Sequence, residues 1–375
     1  MRNNDQETFL KILQAGLWKE TGANHNLDLE GKVDWEEVYQ LAEEQSVIGV
    51  CLAGIEHSTI KPPQELLLQW IGEVQLLEQQ NKAMNKFIAE LIEKLRKEDI
   101  YTILVKGQGV AQCYERPLWR ASGDVDLLLN KGEYDKAKAY LLPLASKVEI
   151  ENKKAWHLGL TIQNWEVELH GSMRSCCLRR MDKVIDEVQE SIFYGGNVRL
   201  WDNKETVIFL PSPDDDVFLV FSHIIKHFFR EGIGLRQICD LCRLLWKYKD
   251  SLNVNLLKKR LKAAGIMTEW YSFASYAAGY LGMPVESIPL YSANGRWKEN
   301  AKRINGIIMY VGNFGHNRDF TYLFEEPFIV RKTISFCRRT TDLTKRLLIF
   351  PVDSMRVWIR VVINGVRALG NIYRV

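Results

Sequence analysis

The sequence predicts an α+β fold, in which a mixed β-sheet core lies between helical N- and C-terminal regions. The first observation is the helical spacing of apolar side chains through the first hundred residues and again beyond residue 211. The second is a series of short β-rich runs between residues 100 and 211. The third is the run Pro-Ser-Pro-Asp-Asp-Asp at 211–216, which marks a boundary. We therefore predict three parts, at 1–99, 100–211 and 212–375.

The composition is that of a folded, soluble protein. The chain has 375 residues, of which 46% are hydrophobic and 26% are charged, and this length suggests two or three domains. No stretch approaches the roughly 18 uninterrupted apolar residues of a membrane span, and the polar start of the sequence has no signal-peptide core. The seven cysteines are scattered without a framework, which is typical of reduced thiols. We expect a cytoplasmic protein.

The N-terminal region is predicted to be helical and to carry no chemistry. An apolar stripe predicts a helix over 7–20. Asp34 has the position of an N-cap for a helix over 35–45, with Glu37 three residues later as in a capping box. Pro62 and Pro63 open a long helix over about 65–97, because proline suits the first helical turn.

The central region is predicted to hold the strands. A β-rich run at 101–105 ends at Lys-Gly-Gln-Gly (106–109), and a short helix at 110–114 follows. The predicted strands after it are 124–129, 157–162, 165–170, 198–201 and 206–210, with helices at 133–142 and 179–190. Asn164 is a suitable turn residue for a hairpin between two of these strands. Beyond the boundary, the predicted helices are 216–230, 234–248, 254–264, 268–281 and 297–310, with a break at Phe350-Pro351 before the end.

Two aspartates at the start of a predicted strand are the main chemical signal. Asp124 and Asp126 follow the turn Ser122-Gly123, and residues two apart on a strand point to the same face. The intervening Val125 then faces the opposite layer. Two carboxylates directed at one point repel each other unless a cation lies between them, and hard oxygen ligands suit Mg²⁺. Taken alone, the D-x-D pattern is equally compatible with a solvated turn.

The order of strand, glycine turn, helix and D-x-D strand resembles that of nucleotidyltransferases related to DNA polymerase β. More narrowly, three segments resemble a bacterial family of uncharacterised nucleotidyltransferases: Val-Lys-Gly-Gln-Gly-Val-Ala (105–111), Arg-Ala-Ser-Gly-Asp-Val-Asp-Leu-Leu (120–128) and Val-Glu-Leu-His (167–170). The later runs 235–241 and 347–351 are also similar to that family, and the resemblance covers roughly residues 35 to 355. It implies a nucleotidyltransferase-type core.

The resemblance also implies an activity, namely transfer of a nucleoside monophosphate from an NTP, with ATP as the expected donor, to a hydroxyl acceptor that the sequence does not identify. The cofactor would be Mg²⁺, with Mn²⁺ as an alternative, held by Asp124, Asp126 and a third carboxylate. The Val-Glu-Leu-His match puts that carboxylate on Glu168, which would bind a metal or act as the base. Glu166 shares its strand face and is the competitor.

Six further residues are implied to bind the nucleotide: Lys106, Gly107, Gln108, Arg120, Ser122 and His170. Gly107 would let backbone amides approach the phosphates at a helix start, although Gln108 stands where Ser or Gly is usual in the superfamily. The ammonium of Lys106 would meet a phosphate or lie exposed at a strand end. Arg120 would neutralise phosphate or pair with the aspartates. His170 would contact substrate or the carboxylates, or pack for structure alone.

Other patterns suggest structure more than chemistry. His223 and His227 lie four apart on a predicted helix, a spacing that can bind zinc, but Ile224 occupies the position of the glutamate in H-E-x-x-H. Cys239 and Cys242 form a lone C-x-x-C within an amphipathic helix, which favours helix packing. Asp240 is predicted to form an i,i+4 pair with Arg236.

The end of the sequence is basic. From Arg331 onward, ten Lys or Arg residues stand against two acidic ones, so this tail carries a net charge of +8 and the rest of the chain −5. Docking of the basic face on the acidic body of the same chain is the simplest interpretation. The alternative is a binding protein whose tail contacts nucleic acid, which is not favoured, or a membrane surface through apolar residues such as Trp358 and Ile359. A further alternative is a catalytically silent NTP-binding or regulatory module, which the turn Gly107-Gln108 leaves open.

Overall fold

A five-stranded mixed sheet at the centre of the chain positions the candidate site. The structure is a computed structural model, and it describes residues 2–18, 29, 33–153, 155–175, 177–204, 206–317, 321 and 326–372. The strands are β1 Ile103–Val105, β2 Asp124–Leu128, β3 Lys147–Val148, β4 His157–Ile162 and β5 Trp165–His170, in the order β1-β2-β5-β4-β3. Strands β2 and β5 run parallel, and the other neighbours are antiparallel. A separate hairpin is formed by β6 Val198–Asn203 and β7 Thr206–Pro211.

Helices precede, interrupt and follow the sheet, so the predicted α+β class is confirmed. Before it come α1 Arg2–Leu17, α2 Trp35–Glu44, α3 Ile48–Ile55 and α4 Gln64–Lys97. Within the central region lie α5 Gly107–Ala111, α6 Lys131–Leu141 and α7 Arg179–Tyr194. After it come α8 Pro213–Phe229, α9 Leu235–Tyr248, α10 Val254–Ala264, α11 Met267–Tyr280, α12 Gly295–Val311, α13 Phe328–Leu347 and α14 Pro351–Ile372.

The sequence signals for helix starts agree with the structure. The Asp34 side chain accepts a hydrogen bond from the backbone amide of Glu37, which confirms the predicted N-cap. The long helix α4 begins directly after Pro63. Helix α1 starts earlier than predicted and ends at Leu17, and residues 19 and 20 lie outside the described part of the chain. Helix α3 and the short strand β3 were not predicted.

The sheet has one apolar face and one polar face, because strand residues alternate in direction. Val125, Leu127, Val167 and Leu169 belong to an apolar cluster that also contains the C-terminal half of α4 and residues of α6. The polar face carries Asp124 and Asp126 on β2 together with Glu168 and His170 on β5. Helix packing on the apolar face therefore fixes the strands whose other face forms the candidate site.

The N-terminal and C-terminal helices share a second apolar core. It contains residues of α1–α3 as well as residues of α8–α12, and the start of α14 also contributes to it. Polar contacts tie the same regions together, since the Trp18 indole donates to the carbonyl of Leu281 and the Arg243 guanidinium donates to the carbonyl of Leu17. The division into parts at 1–99, 100–211 and 212–375 stays a prediction.

Two carboxyl groups meet in the core between α11 and α14. Glu269 is only 2% exposed, and the carboxyl group of Asp353 lies close to its side chain. Burial is the main cause that raises the pKa of Glu269 well above its ordinary value, and the neighbouring charge of Asp353 adds to the effect. The folded chain therefore binds this proton more tightly than the unfolded chain does.

We expect this pair to destabilise the fold as the pH rises. The stabilisation is complete below the unfolded pKa of Glu269, near 4.5, and is lost as the pH rises toward the folded pKa. The slope is up to about 1.4 kcal/mol per pH unit. Urea unfolding from pH 4.5 to neutrality should show a smaller decline for Glu269→Gln than for the wild type. The matched change Glu286→Gln, at an exposed glutamate, should leave the slope as it is; equal slopes for all three proteins would contradict the account.

Candidate active site

Three carboxylates from two parallel strands converge on the polar face of the sheet. Asp126 of β2 lies opposite Glu168 of β5 in the strand register, and Asp124 is two residues before Asp126. Carboxylate oxygens of all three residues lie within 4.8 Å of one another. This confirms the expected shared face of the two aspartates. The donor set consists of hard oxygen atoms from negatively charged groups, which fits Mg²⁺ or Mn²⁺.

Glu166, the competitor of Glu168, lies outside this group. It is opposite Asp124 in the register, but its side chain is exposed and accepts a hydrogen bond from the Thr161 hydroxyl at 2.9 Å. The geometry therefore favours Glu168 as the third carboxylate. Its role in binding a metal stays a prediction.

Cationic and imidazole groups hold the carboxylates together. The Lys106 ammonium lies 2.6 Å from Asp126 Oδ1, and His170 Nε2 lies 2.7 Å from the same oxygen. His170 Nε2 is also 3.2 Å from Glu168 Oε2, and His157 Nε2 is 3.1 Å from that oxygen. Asp126 is 1% exposed, so its charge is removed from water and depends on these partners.

The charges in this cluster shift each other's protonation. The nearby charge of Asp126, together with burial, raises the pKa of Asp124. Burial opposes ionisation of Asp126, but the Lys106 ammonium and the His170 hydrogen bond outweigh it and lower the pKa of Asp126. Burial likewise disfavours the charged Lys106, but the surrounding carboxylates raise its pKa above the ordinary value. In Glu168, hydrogen bonds from His157 and His170 overcome burial and lower the pKa.

The backbone before α5 is strained where it brings Lys106 to the carboxylates. Lys106 has a φ of +57°, which side chains other than glycine rarely adopt, and Gly107 follows with a φ of +38°. A Cβ atom on Gly107 would lie 3.3 Å from the backbone oxygen of Asp124, so glycine also allows the close approach of this turn to β2. Such conformations cost about 1–3 kcal/mol and cluster at functional sites.

Gln108 is directed away from the carboxylates. Its side chain is 1% exposed and donates to Asn81 of α4 at 2.7 Å, and Asn81 in turn donates to the carbonyls of Leu118 and Arg120. The Gln108 side chain therefore joins α5 to α4 and to the loop before β2. Only its backbone could face a nucleotide, so the predicted binding role does not extend to its amide group.

Arg120 and Ser122 belong to a buried network that connects β2 with α9. The Arg120 guanidinium makes two hydrogen bonds with Asp240, at 3.0 and 2.6 Å, and a third with the Ser122 hydroxyl at 2.6 Å. The Tyr114 hydroxyl also donates to Asp240, at 2.8 Å. The predicted pairing of Asp240 with Arg236 is thus replaced by a pairing with Arg120, because a bidentate contact with a guanidinium satisfies both carboxylate oxygens. Arg236 donates instead to the carbonyl of Ala121.

A cationic wall and the carboxylates line the same cleft of about 280 Å³. Helix α8 contributes Lys226 to this wall and α9 contributes Arg236, and Lys106, Gly107 and Arg120 also line the cleft. Burial and the nearby charge of Lys106 lower the pKa of Lys226, and burial and the charge of Arg120 lower that of Arg236. Cations that repel each other in a buried site are stabilised by a bound anion. The cleft therefore suits a ligand with phosphate groups that binds together with a metal ion.

The histidine pair and the C-x-x-C motif noted in the sequence are packed within the fold. The rings of His223 and His227 are tilted against each other, with centroids 4.2 Å apart and 59° between the ring planes, and both line the cleft. Burial is the first cause that lowers the pKa of each. Within the described residues, the groups able to hold a metal do not include this pair. Cys239 and Cys242 are buried free thiols in the apolar core, which confirms the predicted packing role.

Comparison with known proteins identifies the family. The profile of a family described as uncharacterised nucleotidyltransferase matches residues 31–282, more than half of the chain. The chain belongs to this uncharacterised nucleotidyltransferase family. Every residue that lines the cleft lies within the matched range, whereas α13 and α14 lie beyond it. Membership of a nucleotidyltransferase family implies a nucleotide substrate.

A solved structure with a related description is more distant. An antigenic nucleotidyltransferase-like protein from Paracoccidioides brasiliensis is similar with 13% identity and a TM-score of 0.32, over 54% of this chain and 93% of that one. A TM-score of this size carries no functional argument. The search of curated proteins gave no match.

Sequence reasoning missed Lys226 and Arg236 as residues of the cleft, and it also missed His157. His157 lies directly opposite His170 in the antiparallel pairing of β4 and β5. The signal was present, because the two-residue turn Gln163-Asn164, with φ of +50° and +71°, sets the register of this hairpin. Counting back from the turn would have placed His157 beside His170 in this member of the family.

Proposed function

We propose that this chain transfers a nucleoside monophosphate from an NTP, with ATP as the expected donor, to a hydroxyl acceptor. The observation that carries the proposal is the cluster of Asp124, Asp126 and Glu168, which lines one cleft together with cationic side chains. In the reaction, the acceptor oxygen forms a bond to the α-phosphorus as the bond to pyrophosphate breaks, and the hydroxyl proton is transferred to a base or to water.

Asp124, Asp126 and Glu168 would hold the divalent ion, for which Mg²⁺ is the expected choice. When bound, such an ion stabilises the charge on the transferring phosphoryl group and lowers the pKa of a bound hydroxyl. The Lys106 ammonium now provides the positive charge beside Asp126, at 2.6 Å. We expect it to pair with a phosphate oxygen when the nucleotide is bound, since its flexible stem can move the charge within the cleft.

Lys226 and Arg236 would bind the triphosphate from the cationic wall. Both side chains are partly buried, and a bound anion would offset the repulsion between Lys226 and Lys106 and that between Arg236 and Arg120. Arg120 would act indirectly, because its bonds to Asp240 and Ser122 fix the loop that leads into Asp124. We expect it to position the strand more than to bind phosphate.

The experiment that tests the proposal is release of pyrophosphate from each of the four NTPs with Mg²⁺ or Mn²⁺, together with labelled acceptor candidates. Release should depend on the metal, and labelled NMP should move to an acceptor. Release that survives replacement of both Asp124 and Asp126 by Ala would contradict the proposal. Thermal stabilisation by NTP without turnover would instead support the catalytically silent module.

A second candidate function is peripheral binding to an anionic membrane. The surface of the C-terminal helices supports it. Exposed apolar residues at intervals of three and four form one stripe along α14: Val352, Met355, Ile359 and Ile363. The opposite side of the helix buries Ser354 and Val357 against the body. Apolar side chains thus take part in the docking that sequence reasoning assigned to a basic face.

The net charge of the tail indicates which partner would bind the apolar stripe of α14. The tail carries a net charge of +8, so two copies packed through the same face would repel, whereas anionic lipids would attract it. An exposed apolar stripe beside basic residues, here Arg356 and Arg360, is the pattern of a helix that lies in the membrane interface. Among the described residues, none of the helices has the length and apolar character required to cross a membrane.

We expect the wild type to sediment with vesicles that contain anionic lipid and not with neutral vesicles, less so as salt rises. The double change Met355→Ser with Ile359→Ser should lower the bound fraction several-fold, because each residue removes roughly 1–2 kcal/mol of apolar burial. The change Ile150→Ser, at a side chain that is 98% exposed elsewhere, is the control and should have no effect. Binding that is unchanged in the double variant would contradict the membrane proposal, and equally tight binding of an oligonucleotide by that variant would favour nucleic acid.

A further inference from the structure

Glu168 is shared by two groups of candidate ligands. One group is the carboxylate cluster with Asp124 and Asp126. The other consists of His157 and His170, whose ring nitrogens lie within 4.8 Å of each other and of a Glu168 oxygen. The hairpin register produces this second group, because His157 pairs with His170 and Glu168 is two residues before His170.

The separations in the second group fit ligands of one metal ion. His157 Nε2 and His170 Nε2 lie 3.1 and 3.2 Å from the same oxygen, Glu168 Oε2. Metal–ligand bonds of about 2.0–2.2 Å place two ligand atoms about 3.0 Å apart at a right angle and about 3.4 Å apart at a tetrahedral angle. The observed values lie between these limits. A bound ion would require only small shifts of the side chains.

Hydrogen bonding alone accounts for the position of His170 less well than a bound metal ion does. Its Nε2 atom lies 2.7 Å from Asp126 Oδ1 and 3.2 Å from Glu168 Oε2, and a ring nitrogen carries a single hydrogen. One N–H must therefore be divided between two carboxylates. An ion bound to the unprotonated nitrogen would instead attract the nitrogen and the Glu168 oxygen at once. His157, whose side chain is 30% exposed and lines the cleft, leaves an open side for water or substrate.

We infer that His157, Glu168 and His170 form a binding site for a second divalent ion of the imidazole-preferring class, such as Zn²⁺ or Co²⁺. Two imidazoles with one carboxylate and an open position are a donor set that zinc enzymes use, whereas Mg²⁺ prefers oxygen ligands. The site would lie beside the Mg²⁺ site and share Glu168 with it. Any part in nucleotidyl transfer rests on the proposed function, but ion binding itself does not.

The test is a titration of the Mg²⁺-saturated protein with Co²⁺, followed by visible absorption. Excess Mg²⁺ fills the oxygen site, so new d–d bands report Co²⁺ bound to nitrogen ligands. We expect the wild type to develop these bands and His157→Gln to need at least about 10-fold more Co²⁺. His157 tests the second site selectively, because its side chain contacts Glu168 and belongs to the imidazole group of ligands, which contains neither aspartate. The control His316→Gln removes an exposed histidine outside the site and should titrate like the wild type.

The outcomes separate this inference from the proposed function. Bands that persist unchanged in His157→Gln, or a wild type that develops none, would overturn the second site even if pyrophosphate release is intact. Bands that depend on His157 in a protein that releases no pyrophosphate would support the site and contradict the proposed function. In Asp124→Asn, we expect the bands to remain, since that residue belongs only to the carboxylate group.

Discussion

Asp124→Asn should lower NMP transfer by at least about 10³-fold, because a neutral amide is a much weaker ligand for the ion that stabilises the transferring phosphoryl group. The same change should not lower the stability of the metal-free protein. The nearby charge of Asp126 raises the pKa of Asp124, so the two ionised groups repel each other in the fold. Removal of one charge relieves that repulsion. Steady-state pyrophosphate release and thermal unfolding in chelator measure the two effects.

The matched control is Glu166→Gln. Glu166 lies on β5 opposite Asp124 in the strand register, but it is exposed and outside the carboxylate cluster. The two variants remove the same charge from neighbouring strands, so a general electrostatic effect would appear in both. We expect the control to retain activity within about threefold, since surface charges are screened. Equal losses in the two variants would contradict the assignment of Asp124 as a metal ligand.

Asp240→Ala should destabilise the fold by about 3–5 kcal/mol, which is the usual cost when one partner of a buried ion pair is removed. The Arg120 and Asp240 side chains are only 5% and 8% exposed. Without Asp240, the guanidinium keeps its charge in a largely buried position, and the Tyr114 hydroxyl loses its acceptor. Urea unfolding at neutral pH measures the loss.

Asp186→Ala is the control for this second prediction. Asp186 pairs with Arg174 through two short hydrogen bonds, but the side chains are 34% and 49% exposed. An exposed pair of this kind contributes about 0–1 kcal/mol. The double change Arg120→Met with Asp240→Leu should recover part of the loss, since neither charge then stays buried alone. Equal costs for Asp240→Ala and Asp186→Ala would show that the buried pair does not hold β2 to α9 as described.

The carboxylate cluster could be predicted because strand periodicity is local. Asp124 and Asp126 must share a face wherever the strand lies, and the alternation of Val125 and Leu127 identifies the packed side. The choice of Glu168 over Glu166 needed the register between β2 and β5, which are separated by a long crossover. Sequence periodicity does not encode such a register, so the family resemblance supplied it.

The parts that could not be predicted depend on contacts distant in sequence. Asp240 was expected to pair with Arg236 on its own helix, but Arg120, on a loop 120 residues away, offers a planar guanidinium in a buried position. Gln108 follows a glycine turn that suggested phosphate binding, and its amide packs on Asn81 of α4 instead. In both cases, a buried polar side chain needs a hydrogen-bond partner, and only the tertiary arrangement determines which residue is close enough to provide it.

The most direct test of the account is a structure of the chain with a non-hydrolysable NTP and Mg²⁺. We expect an ion bound by Asp124 and Asp126, with the triphosphate between that ion and the wall formed by Lys226 and Arg236. The α-phosphate should face the open side of the cleft, where an acceptor hydroxyl can approach. A nucleotide bound outside this cleft, or bound within it with no ion on either aspartate, would contradict the central claim.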